Sequence, residues 1–245
     1  MSTYFISTFA KDHIPIYAKN FLTSYNEHSK FPLILYAEDF SKDELPGEYT
    51  HMEFNKEIPA HKNFKDLISI ADKDTPDIKA KRRLAKALRW SYKAFTILHA
   101  LRTIDAKYIV WIDGDVTVKR NLPLNFIESL IEEKLCMAYL EKLQMKDSTT
   151  HHIESGLVVF NKTHKLISHI IHGYSIAYEK GNILNYSKPW DGILLAEILL
   201  PLQSYCNLLL SPFSNVKSFL HHAVGKNKFI NQDINRYSGR KDLLS

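Results

Sequence analysis

Residues 108–118 read Tyr-Ile-Val-Trp-Ile-Asp-Gly-Asp-Val-Thr-Val, and this stretch limits the fold more than any other. Five apolar or aromatic residues in a row predict a buried strand, cut off abruptly at Asp113 by an Asp-Gly turn. The rest of the chain alternates around it. Strands are predicted over residues 4–9, 31–37 and, more weakly, 49–54. A helix is predicted over 13–28 with Asp12 as its N-cap, and a long one over 78–102. In the long helix Leu84, Leu88, Phe95, Leu98 and Leu101 recur at helical spacing. Residues 59–79 are polar and poorly periodic, which predicts a loop region with a short helix or an insertion near the site. Further on come a helix over 123–133 with Pro123 in its first turn, strands over 135–140 and 156–160 around a polar segment (141–152), and helices over 164–180 and 190–199. The tail from residue 216 reads as loop. Such alternation predicts an α/β fold, a mostly parallel sheet covered by helices on both faces.

Composition narrows the options. With 245 residues, 45% hydrophobic and 12% aromatic, the chain can build a full core and is not disordered. No repeat, low-complexity tract or linker divides it, so one domain over 1–245 is expected. The formal charge of +5, from 32 basic and 27 acidic residues, suits an anionic ligand such as a nucleotide phosphate, or contact with a membrane surface. It is too dispersed for a nucleic-acid footprint. The densest basic stretch, 79–89, falls on the predicted long helix and reads as a solvated face. Cys136 and Cys206 are the only cysteines and read as buried hydrophobes in a reducing compartment. No signal peptide is visible, and the longest apolar run, 193–202, is interrupted by Glu197 and too short to span a bilayer. Asn161-Lys-Thr and Asn185-Tyr-Ser match the glycosylation acceptor pattern, as chance matches in a protein expected to be soluble and cytoplasmic.

Two segments carry chemistry. The 108–112 strand delivers the Asp113 and Asp115 carboxylates to the carboxyl edge of the sheet, where open α/β sheets bind ligands. Two hard oxygen donors one residue apart can hold Mg²⁺ or Mn²⁺ while substrate phosphates complete the shell. Such an ion would neutralise a diphosphate leaving group. Near the C-terminus stands His221-His222-Ala-Val-Gly225-Lys226-Asn-Lys228. A neutral imidazole is a good further ligand for Mn²⁺, a glycine lets backbone approach a phosphate, and the lysines supply positive charge.

Together these segments resemble GT-A-type glycosyltransferases, in particular the glycogenin-like and bacterial galactosyltransferase-like family. That family begins with a nucleotide-binding strand, places Asp-x-Asp after a central strand, and ends with His-x-x-Gly-x-x-Lys, the spacing of His222, Gly225 and Lys228. Its Asn-x-Gly segment corresponds to Glu154-Ser-Gly156 and its Asp-Gln segment to Asp191-Gly192, so this chain has lost the leading Asn and the Gln. The Pro-Trp that follows the family's lysine is Phe229-Ile230 here.

The resemblance implies a GT-A fold, with a nucleotide-sugar-binding half (1–120) and an acceptor half (121–245). It implies transfer from a nucleotide sugar, UDP-linked, to a carbohydrate or lipid-linked acceptor, with Mn²⁺ or Mg²⁺. Asp113, Asp115 and His222 would hold the metal, or His221 in place of His222 if the register shifts, with Asp113 also near the ribose. Ser7, Thr8 and Phe9 would end the nucleotide-binding strand, Phe9 reading equally well as core. Lys93 would reach the donor, while Gly225, Lys226 and Lys228 would face the phosphates. Glu154 and Asp191 are the candidates for the reaction centre. Either would serve as general base in an inverting transfer, or would position the sugar in a retaining one. Asp191 also suits a helix N-cap or first-turn acid. Competing expectations are a sugar-phosphate nucleotidyltransferase, disfavoured because 9–15 lacks the glycine-rich loop, and an inactive carbohydrate-binding protein on the same fold.

Overall fold

The computed structural model describes residues 2–141, 153–186, 189–199 and 220–222. Its elements are β1 (Thr3–Phe9), α1 (Lys19–His28), β2 (Leu33–Ala37), β3 (Thr50–Glu53), α2 (Phe54–Glu57), α3 (Ala60–Lys73), α4 (Ile78–Thr103), β4 (Tyr108–Ile112), β5 (Val116–Val118), α5 (Phe126–Leu130), β6 (Met137–Glu141), β7 (Ile153–Asn161), α6 (Ile167–Tyr174), α7 (Asp191–Leu199) and β8 (Leu220–His222).

Six strands form one sheet in the order β3-β2-β1-β4-β7-β6. The first four run parallel, β7 alone runs against them, and β6, antiparallel to β7, runs with them again, so the sheet is mixed but mostly parallel as expected. The chain returns to one side of β1 as β2 and to the other as β4, which opens a crevice at their shared carboxyl edge. Side chains alternate between two cores. Ile6, Ile109, Trp111 and Val158 pack towards α3, α4, α6 and α7. Phe5, Phe9, Val110, Ile112 and Val159 pack towards α1 and α5. The strand over 108–112 is buried at every position, which is why it shows no alternation in sequence.

Several elements depart from expectation. Residues 59–79 are mostly the helix α3, whose buried His61, Phe64 and Ile68 share one face. The pattern was hidden because one of its core positions is a histidine and the other faces carry lysines. The helix over 13–28 opens earlier, with a tight 3-10 turn (Lys11–His13) and a wider π turn (Ile14–Ala18). Asp12 lies inside that turn and caps nothing; Asp39, 28 residues away in sequence, accepts a 2.6 Å hydrogen bond from the Lys11 backbone instead. The helix over 123–133 shrinks to α5, because Ile131 leaves it in extended conformation and is buried on the way to β6. The helix over 164–180 starts at Ile167, widens into a π turn at Ser175–Glu179 and stops before Gly181, whose φ of 74° suits glycine. The long helix is capped as good helices are, by the Asp77 carboxylate accepting from the Lys79 and Ala80 backbone. Of the loop-rich tail, only β8 is among the described residues. No helix among the described residues is long and apolar enough to cross a membrane.

Candidate functional site

The site begins where β4 stops. The Asp113 backbone donates to the Gly156 carbonyl at 2.9 Å, and Val116 donates back to the Asp113 carbonyl at 3.1 Å, closing the turn that carries both aspartates. Gly114 is needed there for space: a Cβ would sit 2.6 Å from Cδ1 of Phe9. Phe9 is 2% exposed and stacks on Phe40 with centroids 5.5 Å apart, so its ring is the floor beneath the turn. Ser7 is fully buried on the same face, and its hydroxyl has no hydrogen-bond partner among the described residues. Thr8, on the other face, donates to the Tyr36 carbonyl at 2.7 Å and to Glu38 at 3.3 Å. Of the three strand-end residues, Thr8 is thus the one whose side chain ties the end of β1 to the end of β2.

Lys93 organises the rest. It comes off α4, is 4% exposed, and its ammonium lies 3.0 Å from Asp113 Oδ1 and 2.9 Å from Asp191 Oδ2. A third bond, 2.6 Å, goes to the Ser155 carbonyl, and the Trp111 ring lies under the charge at 4.9 Å. Burial would strip such a group of its proton, but the two carboxylates outweigh that and hold its pKa above the ordinary value. Trp111 Nε1 donates to Asp113 Oδ1 at 2.6 Å, and the Ser155 hydroxyl donates to Asp191 Oδ2 at 2.6 Å. Lys93, Asp113 and Asp191, 98 positions apart from first to last, therefore meet in one cluster, one ammonium between two carboxylates. Its open side is the Asp113 side chain, 20% exposed; Asp191, at 5%, is its closed side. Asp191 is also the first residue of α7, where its charge complements the helix dipole.

Three members of this site escaped the sequence reading. Trp111 passed for a strand hydrophobe, yet its indole N–H fixes Asp113. Ser155 lay inside a segment already singled out, but nothing in its type marks it as the partner of Asp191. Glu38 follows β2 beside the end of β1; burial pushes its carboxyl up to about 8, and the bond from Thr8 offsets part of that.

The donor set suits a hard divalent ion. Asp113 and Asp115 bracket one turn, and the β5–β8 ladder sets the backbone of His222 opposite Val116, the residue after Asp115. His221 is opposite Thr117, one step further away, so the register favours His222 over His221. Among the described residues no three metal-ligating side chains are grouped. Glu154 sits in β7 next to Ser155, its backbone paired with Leu140 across a register shift. Gly225, Lys226 and Lys228 lie outside the described residues.

No protein-family model matches the sequence, and comparison with curated proteins finds no match either. Solved structures do match. The apo-form glycosyltransferase GlyE of Streptococcus pneumoniae aligns with a TM-score of 0.52 at 11% identity, over 97% of this chain and 59% of that one. Core-mannan synthase A of Aspergillus fumigatus, in its Mn/GDP form, aligns with a TM-score of 0.50 at 9% identity, over 81% and 69% respectively. The chain thus spans about three fifths of GlyE. The fold is that of GT-A-type glycosyltransferases, as the sequence resemblance implied.

Proposed function

We propose that this protein transfers a sugar from a nucleoside diphosphate sugar, UDP-linked in our reading, to a carbohydrate or lipid-linked acceptor. The observation that carries the proposal is the buried Lys93–Asp113–Asp191 cluster at the carboxyl edge of a GT-A-type sheet. A structural ion pair is balanced and closed. This one sets two carboxylates on a single ammonium and keeps the Asp113 side partly exposed at the crevice, an arrangement suited to a cation and its diphosphate. Core-mannan synthase A, with its Mn/GDP form, supports testing guanine beside uracil.

A divalent ion held by Asp113, Asp115 and His222 would supply neutralisation of the diphosphate leaving group. The remaining work falls to the chain's own groups. Trp111 and Lys93 hold Asp113 in one orientation, so the carboxylate needs no reorganisation when a ligand arrives. Ser155 and Lys93 both engage Asp191 Oδ2. That buried carboxylate therefore acts as a positioning residue, fixing Lys93 and adding negative charge behind the donor sugar, in preference to abstracting the acceptor proton. Thr8 and Glu38 form the rim against which the nucleoside would lie.

Isothermal calorimetry with UDP and GDP, each with and without Mn²⁺, tests the proposal. Micromolar binding that requires Mn²⁺ is expected for at least one nucleotide, and absence of heat with all four on folded protein would end it. In the same assay Asp115→Ala should lose the Mn²⁺-dependent part of the affinity while its circular dichroism stays that of the wild type.

A further inference from the structure

The face of α4 that reaches the site is basic along its whole exposed length. At 100° per residue, Lys79, Arg82, Lys86, Arg89 and Lys93 fall within about 40° of one line along the helix. Behind Lys93 the same line continues through Ile97 and Ala100, which are fully buried against the sheet. Because α4 runs antiparallel to β4 and Lys93 stands level with Asp113, the residues before it project beyond the carboxyl edge. Lys79 lies about 21 Å past Lys93 along the axis. The sheet-facing side of the helix thus becomes a basic wall over the crevice. Lys86 sits 5.8 Å over the ring of Trp190, the residue before Asp191, which ties the middle of the wall to the site.

A solvated helix face normally mixes signs. The whole of α4 contains no Asp or Glu, and like charges three and four apart destabilise a helix. None of Lys79, Arg82, Lys86 and Arg89 forms an ion pair among the described residues. Lys81, which does pair, with Asp72 at 3.9 Å, lies off the line. Four cations in register therefore work against the helix, and among the described residues none has an acidic partner.

We propose that this stripe is the acceptor track, and that the acceptor is an anionic glycan bearing carboxylates or phosphates along its chain. It would lie along α4 with its reacting end at Asp113, passing the partly exposed Trp190 beside Lys86. The assignment rests on glycosyl transfer as the activity. A continuous line of single-sign charge ending at a sugar-transfer site favours a glycan over a nucleic acid or a membrane, which need no such terminus.

The test uses the full chain and the variant Arg82→Glu/Lys86→Glu/Arg89→Glu, with Arg82→Gln/Lys86→Gln/Arg89→Gln in case charge reversal harms folding. Fluorescence anisotropy would follow labelled decagalacturonate and phosphorylated oligomannose, with neutral dextran, single-stranded DNA and phosphatidylglycerol vesicles as comparisons. At least one anionic glycan is expected to bind about tenfold tighter than dextran, to weaken with salt, and to lose about tenfold or more in the Glu variant and less in the Gln variant. UDP and GDP affinities should be unchanged. Equal binding by wild type and both variants, dextran matching the anionic glycans, or DNA or vesicles binding where glycans do not would each overturn the track. Wild type that binds the anionic glycans but neither nucleotide would instead overturn the enzymatic reading and leave a glycan-binding surface.

Discussion

Two buried polar groups stand two residues apart on α4 and face opposite sides of it. Ser91 points to α3, where its hydroxyl meets His61 Nε2 at 2.7 Å and donates to the Leu88 carbonyl at 2.6 Å. Around them close Phe54, Phe64, Tyr92 and Phe95. Lys93 points to the edge of the sheet and meets two carboxylates. The first pair is neutral, fully enclosed by rings and close to an apolar core in character. The second is ionic, one ammonium between two carboxylates, with one partly exposed side. Both are buried, so burial alone does not distinguish structure from function; ionic character and access do.

The contrast can be broken from its ionic side first. Lys93→Met leaves Asp113 and Asp191 without their cation, and should cost about 3–5 kcal/mol in urea denaturation. Nucleotide binding by calorimetry should vanish under conditions where the variant is still folded. If stability falls but nucleotide affinity stays, the cluster belongs to the fold alone. His61→Ala attacks the neutral side: an enclosed ring is removed and Ser91 loses a partner, for about 2–4 kcal/mol. Here nucleotide affinity should not change, and a loss of more than about threefold (under 1 kcal/mol) would erase the division between the two knots.

The smallest effect is one of pH. Burial lowers the His61 pKa from 6.5 to about 3, with Lys65 nearby adding to it. A histidine held neutral in the fold but protonated when unfolded contributes stability that is complete above pH 6.5 and is lost as pH falls towards 3. His61→Phe keeps the ring and removes the titration. Between pH 6.5 and 4 the wild type should therefore lose up to about 1.4 kcal/mol per pH unit more than the variant. Parallel stability curves would mean that the histidine already carries its proton.

How much of this was open to sequence reasoning depended on whether a signal was local. The 108–112 strand and the Asp113-Gly-Asp115 turn announce themselves, because burial on both faces demands an unbroken apolar run and a tight turn demands a small residue. The long helix was equally plain from its spacing. By contrast α3 was hidden by a core histidine, and the Lys11 backbone is capped by Asp39 from a distant loop. Ser155 and Trp111 join the site through bonds that no pattern encodes. Lys93 and Asp191 were named from a resemblance, but nothing linear indicated that they touch.

By itself, then, the sequence determined the α/β class, the strand that carries the two aspartates, and a basic helix ahead of it. Those follow from periodicity and residue type, which act over a few positions. Tertiary structure alone decided that Lys93 sits between Asp113 and Asp191 and that Phe9 is the floor beneath Gly114. Each depends on the parallel register of β1 and β4 and on where α4 crosses them. Such long-range contacts are fixed by the packing of two cores at once, and so leave no mark at any one position in the chain.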